Sequence, residues 1–232
     1  MQYQGEKLRH EFKYYINYST YEIIKNRLKE VLALDNGESY LVSSLYFDDM
    51  YHSAMIEKIN GTRFRKKYRI RIYNHSDSTI KLECKKKYDS YTAKTSALLT
   101  REEYNSILED DYDILAKRDH ILCQELYAMH KTKLLRPITV VEYLREAYVA
   151  TEGNVRITFD MNISASITTL DMFSKDYVTS EVLPFGTMVM EVKYDDFIPK
   201  HILSMLQPAT SQKCAISKYV MCRNRNRKVK MI

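Results

Sequence analysis

Four separate segments of this chain place a polar and mostly charged residue at every second position, with apolar residues between. Tyr68-Arg69-Ile70-Arg71-Ile72-Tyr73 sets two arginines on one side of a strand. Lys81-Leu82-Glu83-Cys84-Lys85 sets Lys81, Glu83 and Lys85 on one side and Leu82 and Cys84 on the other. Arg156-Ile157-Thr158-Phe159-Asp160 and Glu191-Val192-Lys193 repeat the pattern. Side chains alternate faces along a strand, so each segment has one ionic face and one apolar face. A solvent face ordinarily mixes Ser, Thr, Gln and Lys; here Arg, Lys and Glu recur with few neutral residues between them. Such strands side by side make a cationic wall with a few carboxylates in it, a site for a polyanion and a metal ion.

The rest of the pattern supplies strands with helices between them. Strands are predicted over 8–17, 41–48, 63–73, 78–87, 93–99, 138–148, 154–161 and 187–194, with a hairpin across 74–77. Ser19 or Thr20 caps a helix to about Leu34, with Ile24, Leu28 and Val31 as its apolar stripe. Thr100-Arg101-Glu102-Glu103 is a capping box opening a helix to 108, and further helices are expected over 119–135 and 199–206. A short helix or turn is expected near 51–58, and 217–223 reads as a last strand or a helix. The basic end, 223–232, reads as a mobile tail. No repeat, linker or composition shift marks a second domain, so 1–232 is expected to be a single domain of class α+β. If its sheet closes into an antiparallel barrel, the ionic face lines the lumen and the helices pack outside.

Composition narrows the chemistry. The formal net charge of +6 favours an anionic partner. Five scattered glycines cannot build a P-loop or a dinucleotide-binding turn, so phosphates have to be held by side-chain cations. The four cysteines form no C-x-x-C pair and read as free thiols in a reducing compartment. The start of the chain has no apolar signal region, and no apolar run approaches the ~18 residues of a membrane span. A cytoplasmic protein is expected.

Arg69 and Arg71 lie about 7 Å apart by the strand rise, and the guanidinium fork matches phosphate oxygens. An isolated R-x-R is more often a solvated strand; several aligned rows argue otherwise. Lys81, Glu83, Lys85 and Lys87 form the next row, with Lys94 beyond and Glu83 as organiser of the lysines. Lys66-Lys67 and Lys86-Lys87 read as solubilising pairs. Asp160 and Glu191 face the same cationic side, where a carboxylate stays ionised and can take Mg²⁺ or Mn²⁺. The six histidines have no metal-ligand spacing.

His10-Glu11-Phe12-Lys13-Tyr14, Ser44-Leu45-Tyr46-Phe47-Asp48, Tyr68 to Tyr73, Leu82-Glu83-Cys84-Lys85, Tyr143-Leu144-Arg145, Arg156 to Asp160, Met190-Glu191-Val192-Lys193-Tyr194 and Ser217-Lys218-Tyr219 come in the order seen in VTC domains. In this set the chain resembles the catalytic domains of the vacuolar transporter chaperone complex and their stand-alone bacterial relatives. These are triphosphate tunnel metalloenzymes, related to the CYTH group. The resemblance implies a β-barrel tunnel in which basic residues bind a triphosphate and a glutamate binds a divalent metal, Mn²⁺ or Mg²⁺. The implied activity is polyphosphate synthesis from ATP. By motif position the phosphate ligands are Lys13, Arg69, Arg71, Lys85, Lys94, Arg145, Arg156 and Lys218, and the metal ligand is Glu191. Lys193, Glu11 and Glu83 complete the expected substrate-binding set. One departure matters: Arg9 stands where the CYTH E-x-E-x-K signature has its first Glu, which weakens a cyclase or thiamine-triphosphatase reading.

The leading expectation is a phosphotransferase that moves the γ-phosphoryl of ATP onto a growing polyphosphate chain. A hydrolase of inorganic or nucleoside triphosphate in the same tunnel is the alternative, with Glu11 or Glu83 available to orient water. A non-catalytic sensor of polyphosphate or nucleotide is the third reading. Nucleic-acid binding explains the charge but not the placement of the glutamates, and is not expected.

Overall fold

The computed structural model describes residues 2–3, 6–89, 91–209 and 213–229. The strands are β1 (Gln2–Tyr3), β2 (Glu6–Lys7), β3 (Arg9–Asn17), β4 (Ala33–Leu34), β5 (Tyr40–Asp48), β6 (Phe64–Tyr73), β7 (Ser76–Tyr88), β8 (Tyr91–Leu99), β9 (Arg136–Ala150), β10 (Val155–Ser166), β11 (Thr179–Glu181) and β12 (Thr187–Tyr194). The helices are α1 (Tyr18–Leu28), α2 (Ser53–Ile59), α3 (Arg101–Leu108), α4 (Asp113–Ala116), α5 (Ile121–Lys133), α6 (Lys200–Leu206) and α7 (Lys218–Val229). This is an α+β fold dominated by one antiparallel sheet of ten strands, in the order β11-β10-β12-β3-β8-β7-β6-β5-β9-β4, with β9 also paired to β10.

The sheet curls until its two flanks meet along β9 and β10, and its ionic face turns inward. The expected closed barrel needs correction at one seam. β3 and β8 pair through Arg9↔Thr92 and His10↔Tyr91 alone, whereas β12 pairs with β3 over eight positions from Thr187↔Asn17 to Tyr194↔His10. The wall is therefore a curled sheet with a thin seam, and does not form a full ladder all the way round.

Alternation decides what packs where. The outward residues Leu45, Phe47, Tyr68, Ile70, Ile72, Leu82 and Cys84 bury against Tyr104, Ile107, Leu122 and Leu126 of α3 and α5. On the opposite wall Tyr14, Ile16, Ile157, Phe159, Met190 and Val192 bury against Tyr21, Ile24 and Leu28 of α1 and Ile202 and Leu206 of α6. Each such fully buried aliphatic side chain contributes about 1.5–3 kcal/mol, so the two outer cores fix the curl. The capping box of α3 is present: Thr100 accepts from the Glu103 amide at 3.1 Å and Glu103 accepts from the Thr100 amide at 2.8 Å.

Three further expectations change. First, α1 ends at Leu28, and Val31 lies beyond it, 51% exposed. Second, the hairpin between β6 and β7 turns on Asn74-His75 alone, both left-handed (φ 50° and 52°), the geometry of a two-residue type I′ turn. Third, the basic end is helical through Val229 rather than a loose tail, and α7 packs inside the curl instead of outside it. There Cys222, with Ile216 just before the helix, buries against Val42, Val141, Ile163, Ala165 and Val189. Arg223 is buried and donates to Asp48 Oδ2 at 2.6 Å, which holds the helix to the end of β5. The interior is thus apolar where α7 fills it and ionic where it does not. Among the described residues no helix is long and apolar enough to cross a membrane.

Candidate active site

The ionic part of the interior is a cavity of about 280 Å³. Lys13, Arg69, Arg71, Lys85, Arg145, Lys193 and Lys218 all line it, together with Glu11 and Glu191. Residues far apart in sequence arrive there because each occupies the inward parity of its strand: Glu11 and Lys13 on β3, Arg69 and Arg71 on β6, Lys85 on β7, Arg145 on β9, Glu191 and Lys193 on β12. Lys218 enters from the first turn of α7.

Each of these cations is fixed by a partner. Arg69 lies 2.6 Å from Glu83, and its Nη1 donates to the Tyr46 hydroxyl at 2.9 Å. Arg71 donates to Ser44 Oγ and to the Tyr143 hydroxyl, each at 3.1 Å. Arg145 grips Asp160 with two bonds, at 2.6 and 2.8 Å, and Lys218 bonds the same carboxylate. Lys85 holds both oxygens of Glu11, at 2.5 and 2.7 Å, and Lys13 reaches Glu11 at 2.9 Å and Glu191 at 3.3 Å. Lys193 lies 2.6 Å from Glu191. Held this way, the N–H forks point in set directions before any ligand arrives.

Every carboxylate here is ionised. Burial and the neighbouring Glu191 push Glu11 up, but Lys13, Lys85 and Lys193 outweigh them and hold it well below the usual range. Burial opposes ionisation of Glu83, and Arg69, Arg71 and Lys94 reverse it. The same contest is won for Asp160 by Arg145 and Lys218, and for Glu191 by Lys193 and Lys13. Burial raises the Tyr46 hydroxyl, yet Arg69 and Arg71 bring it below its ordinary value.

Glu191 and Glu11 fit a divalent metal in one mode. Both are anionic, both face the cavity, and both touch Lys13. Mg²⁺ and Mn²⁺ commonly take one or two carboxylates and complete their shell with water and substrate phosphates. Among the described residues no three His, Cys, Asp or Glu side chains are placed as an all-protein cage, so phosphate oxygens would have to complete the shell.

Three expected ligands lie elsewhere. Arg156 does not line the cavity: it pairs with Asp35 and donates to the Tyr40 hydroxyl at 2.9 Å. Lys94 does not line it either, and lies 2.8 Å from Glu83 with its side chain half exposed. Glu83, on the inward face beside Arg69, is fully buried and does not line the cavity; it organises Arg69 and Lys94. Sequence reading also missed members of the cavity. Lys58, Arg65, Lys67, Tyr46, Tyr143 and Ser217 line it, as does Lys87 of the expected row with Lys81, Glu83 and Lys85. Lys67 is therefore no solubilising charge. Arg65, Lys67, Arg69 and Arg71 share one parity on β6, a signal already present in the sequence; Lys58 comes from α2 and left none.

A family model described as the VTC domain matches residues 8–225. A search of curated proteins found no match. Solved structures of similar fold include a candidate adenylyl cyclase from Hippeastrum described as having a dominant triphosphatase activity. It has 11% identity and a TM-score of 0.56, with 94% of this chain and 96% of that one covered. A candidate adenylate cyclase from Bacillus halodurans has 14% identity and a TM-score of 0.51, with 88% of each chain covered. One from Vibrio parahaemolyticus has 11% identity and a TM-score of 0.51, with 93% of this chain and 98% of that one covered.

Proposed function

The chain belongs to the VTC domain family, and on that footing we propose that it transfers the γ-phosphoryl group of ATP onto the end of a polyphosphate chain within this cavity. The observation that carries the reading is charge. Among the described residues eleven lysines and arginines line the cavity against two carboxylates, more positive charge than one triphosphate neutralises. A polymer lying through the cavity uses the surplus.

Phosphoryl transfer asks little of a protein beyond alignment and charge neutralisation. Arg69, Arg71, Arg145 and Lys218 present fixed donors to the oxygens of the donor triphosphate. The bond from the γ-phosphorus to the bridging oxygen breaks, and ADP leaves with that oxygen. A terminal phosphate oxygen of the acceptor forms the new bond. That oxygen is already anionic, so no side chain has to act as base. Lys13, Lys85 and Lys193 line the same space and offset charge on the transferring group. Glu191, with Glu11 beside it, would hold a divalent cation, which would supply neutralisation of the charge developing in transfer.

Hydrolysis of a triphosphate in the same cavity, with Glu11 orienting water, is the alternative, and it differs in releasing orthophosphate. Tripolyphosphate and long-chain polyphosphate are expected to raise the melting temperature by mass action. At a hundred times Kd the gain is about 2.7 kcal/mol, or several degrees for a chain of this size. Orthophosphate at equal phosphorus concentration is expected to do far less. Absence of a shift with either polymer would remove the reading.

A further inference from the structure

Apart from Lys87, the cations of the cavity divide into two sets by what faces them. Arg69, Arg71, Arg145, Lys85, Lys193, Lys13 and Lys218 each sit on a carboxylate within ion-pair distance. Lys58, Arg65 and Lys67 have no carboxylate at that distance among the described residues. Lys58 donates to the Ala215 carbonyl at 2.9 Å and Arg65 to the Thr62 carbonyl. Lys67 has the Ser217 hydroxyl at 3.3 Å and the Tyr219 ring, 5.1 Å from its centroid. The carboxylate nearest Arg65 in effect is Glu57, whose own carboxyl is pushed up by burial and by Asp49.

Three partly buried cations without a counter-ion are a cost that a fold carries when an external anion repays it. Burial, with Lys13, Arg65, Lys58 and Lys85 facing it, pushes Lys67 down to about 7. The cluster also lies at a junction. Arg65 and Lys87 line both this cavity and a neighbouring one of about 370 Å³, where Lys66, Lys86 and Lys133 stand with the carboxylates of Asp48, Asp49 and Glu57. On β6, Arg65 and Arg71 are six positions apart, about 20 Å by the strand rise, longer than a triphosphate.

We propose that Lys58, Arg65 and Lys67 form a second anion subsite, which holds the polyphosphate chain beyond the phosphates seated on Arg69, Arg71 and Arg145 and directs it into the neighbouring cavity. The proposal rests on the polymer reading of the main cavity. It explains why one set of cations is preset by carboxylates and the other is left uncompensated. The first set positions the reacting phosphates. The second attracts a polymer of any length without fixing its register.

The test is equilibrium binding of tripolyphosphate and of long-chain polyphosphate to the native chain and to Lys58→Gln/Lys67→Gln at one ionic strength. Removing one charge-assisted hydrogen bond to phosphate lowers affinity by about tenfold or more. The ratio of long-chain to tripolyphosphate affinity is therefore expected to fall by at least tenfold in the variant. Loss of both ligands by the same factor would overturn the proposal by placing the cluster in the triphosphate seat, and so would no change for either. A native chain that binds long-chain polyphosphate no better than tripolyphosphate would remove the polymer reading itself, before the variant is considered. Removing uncompensated charge is expected to leave the melting temperature no lower; if the double variant is unstable, Lys58→Gln alone, partly exposed on α2, repeats the comparison.

Discussion

Turnover is expected to fall about a thousandfold in Glu191→Gln, roughly 4 kcal/mol of transition-state stabilisation, while the chain stays folded. Glutamine keeps the shape and one acceptor oxygen but loses the charge that a divalent cation needs. Folding survives because Lys13 keeps Glu11 at 2.9 Å as a counter-ion and Lys193 retains access to water, with 27% of its side chain exposed. ADP release at saturating ATP and Mn²⁺ gives the rate, and a melting curve on the same preparation gives the fold. Mn²⁺ binding in the presence of tripolyphosphate is expected to weaken in parallel. Full activity at saturating Mn²⁺ would sink the metal assignment.

Asp160→Asn is expected to do the opposite, costing stability first. Asp160 is fully buried and neutralises both Arg145 and Lys218. Breaking a buried ion pair from one side leaves its cations uncompensated, typically about 3–5 kcal/mol. For a domain of this size that is about 10 °C in melting temperature. Tripolyphosphate supplies negative charge to the same cations, so the melting-temperature rise it causes is expected to be larger in Asp160→Asn than in the native chain. An unchanged melting temperature would show that Asp160 does not carry this charge balance. A ligand shift no larger than native would separate Arg145 and Lys218 from the phosphate site.

The ionic wall was legible in the sequence because parity along a strand needs only local information. Arg69 and Arg71, Lys13, Lys193 and Glu191 could be assigned to one face, with Arg145 added only by the family resemblance, and the cavity collects them. Parity does not give depth. Arg156 lies on the inward face, yet its guanidinium turns to Asp35 just after β4 and to Tyr40. Lys94 is likewise drawn to a carboxylate, the buried Glu83. The C-terminal helix was illegible because its placement is decided at long range. Arg223 reads as tail until Asp48, 175 residues earlier, is known to bind it. Closure of the sheet also depends on which distant strand edges meet, and the β3–β8 seam of two residue pairs has no local signature.

Whether this cavity builds polyphosphate is tested most directly by the products of ATP with Mn²⁺. The extra cations on and beyond the triphosphate seat predict ADP together with phosphate chains that run as a ladder on a gel, and short polyphosphate added at the start is expected to remove any lag. Orthophosphate released in step with ADP, with no ladder at any time point, would contradict the account and make the protein a triphosphatase. Tight binding of both anions with no ADP formed would contradict it equally and leave a sensor.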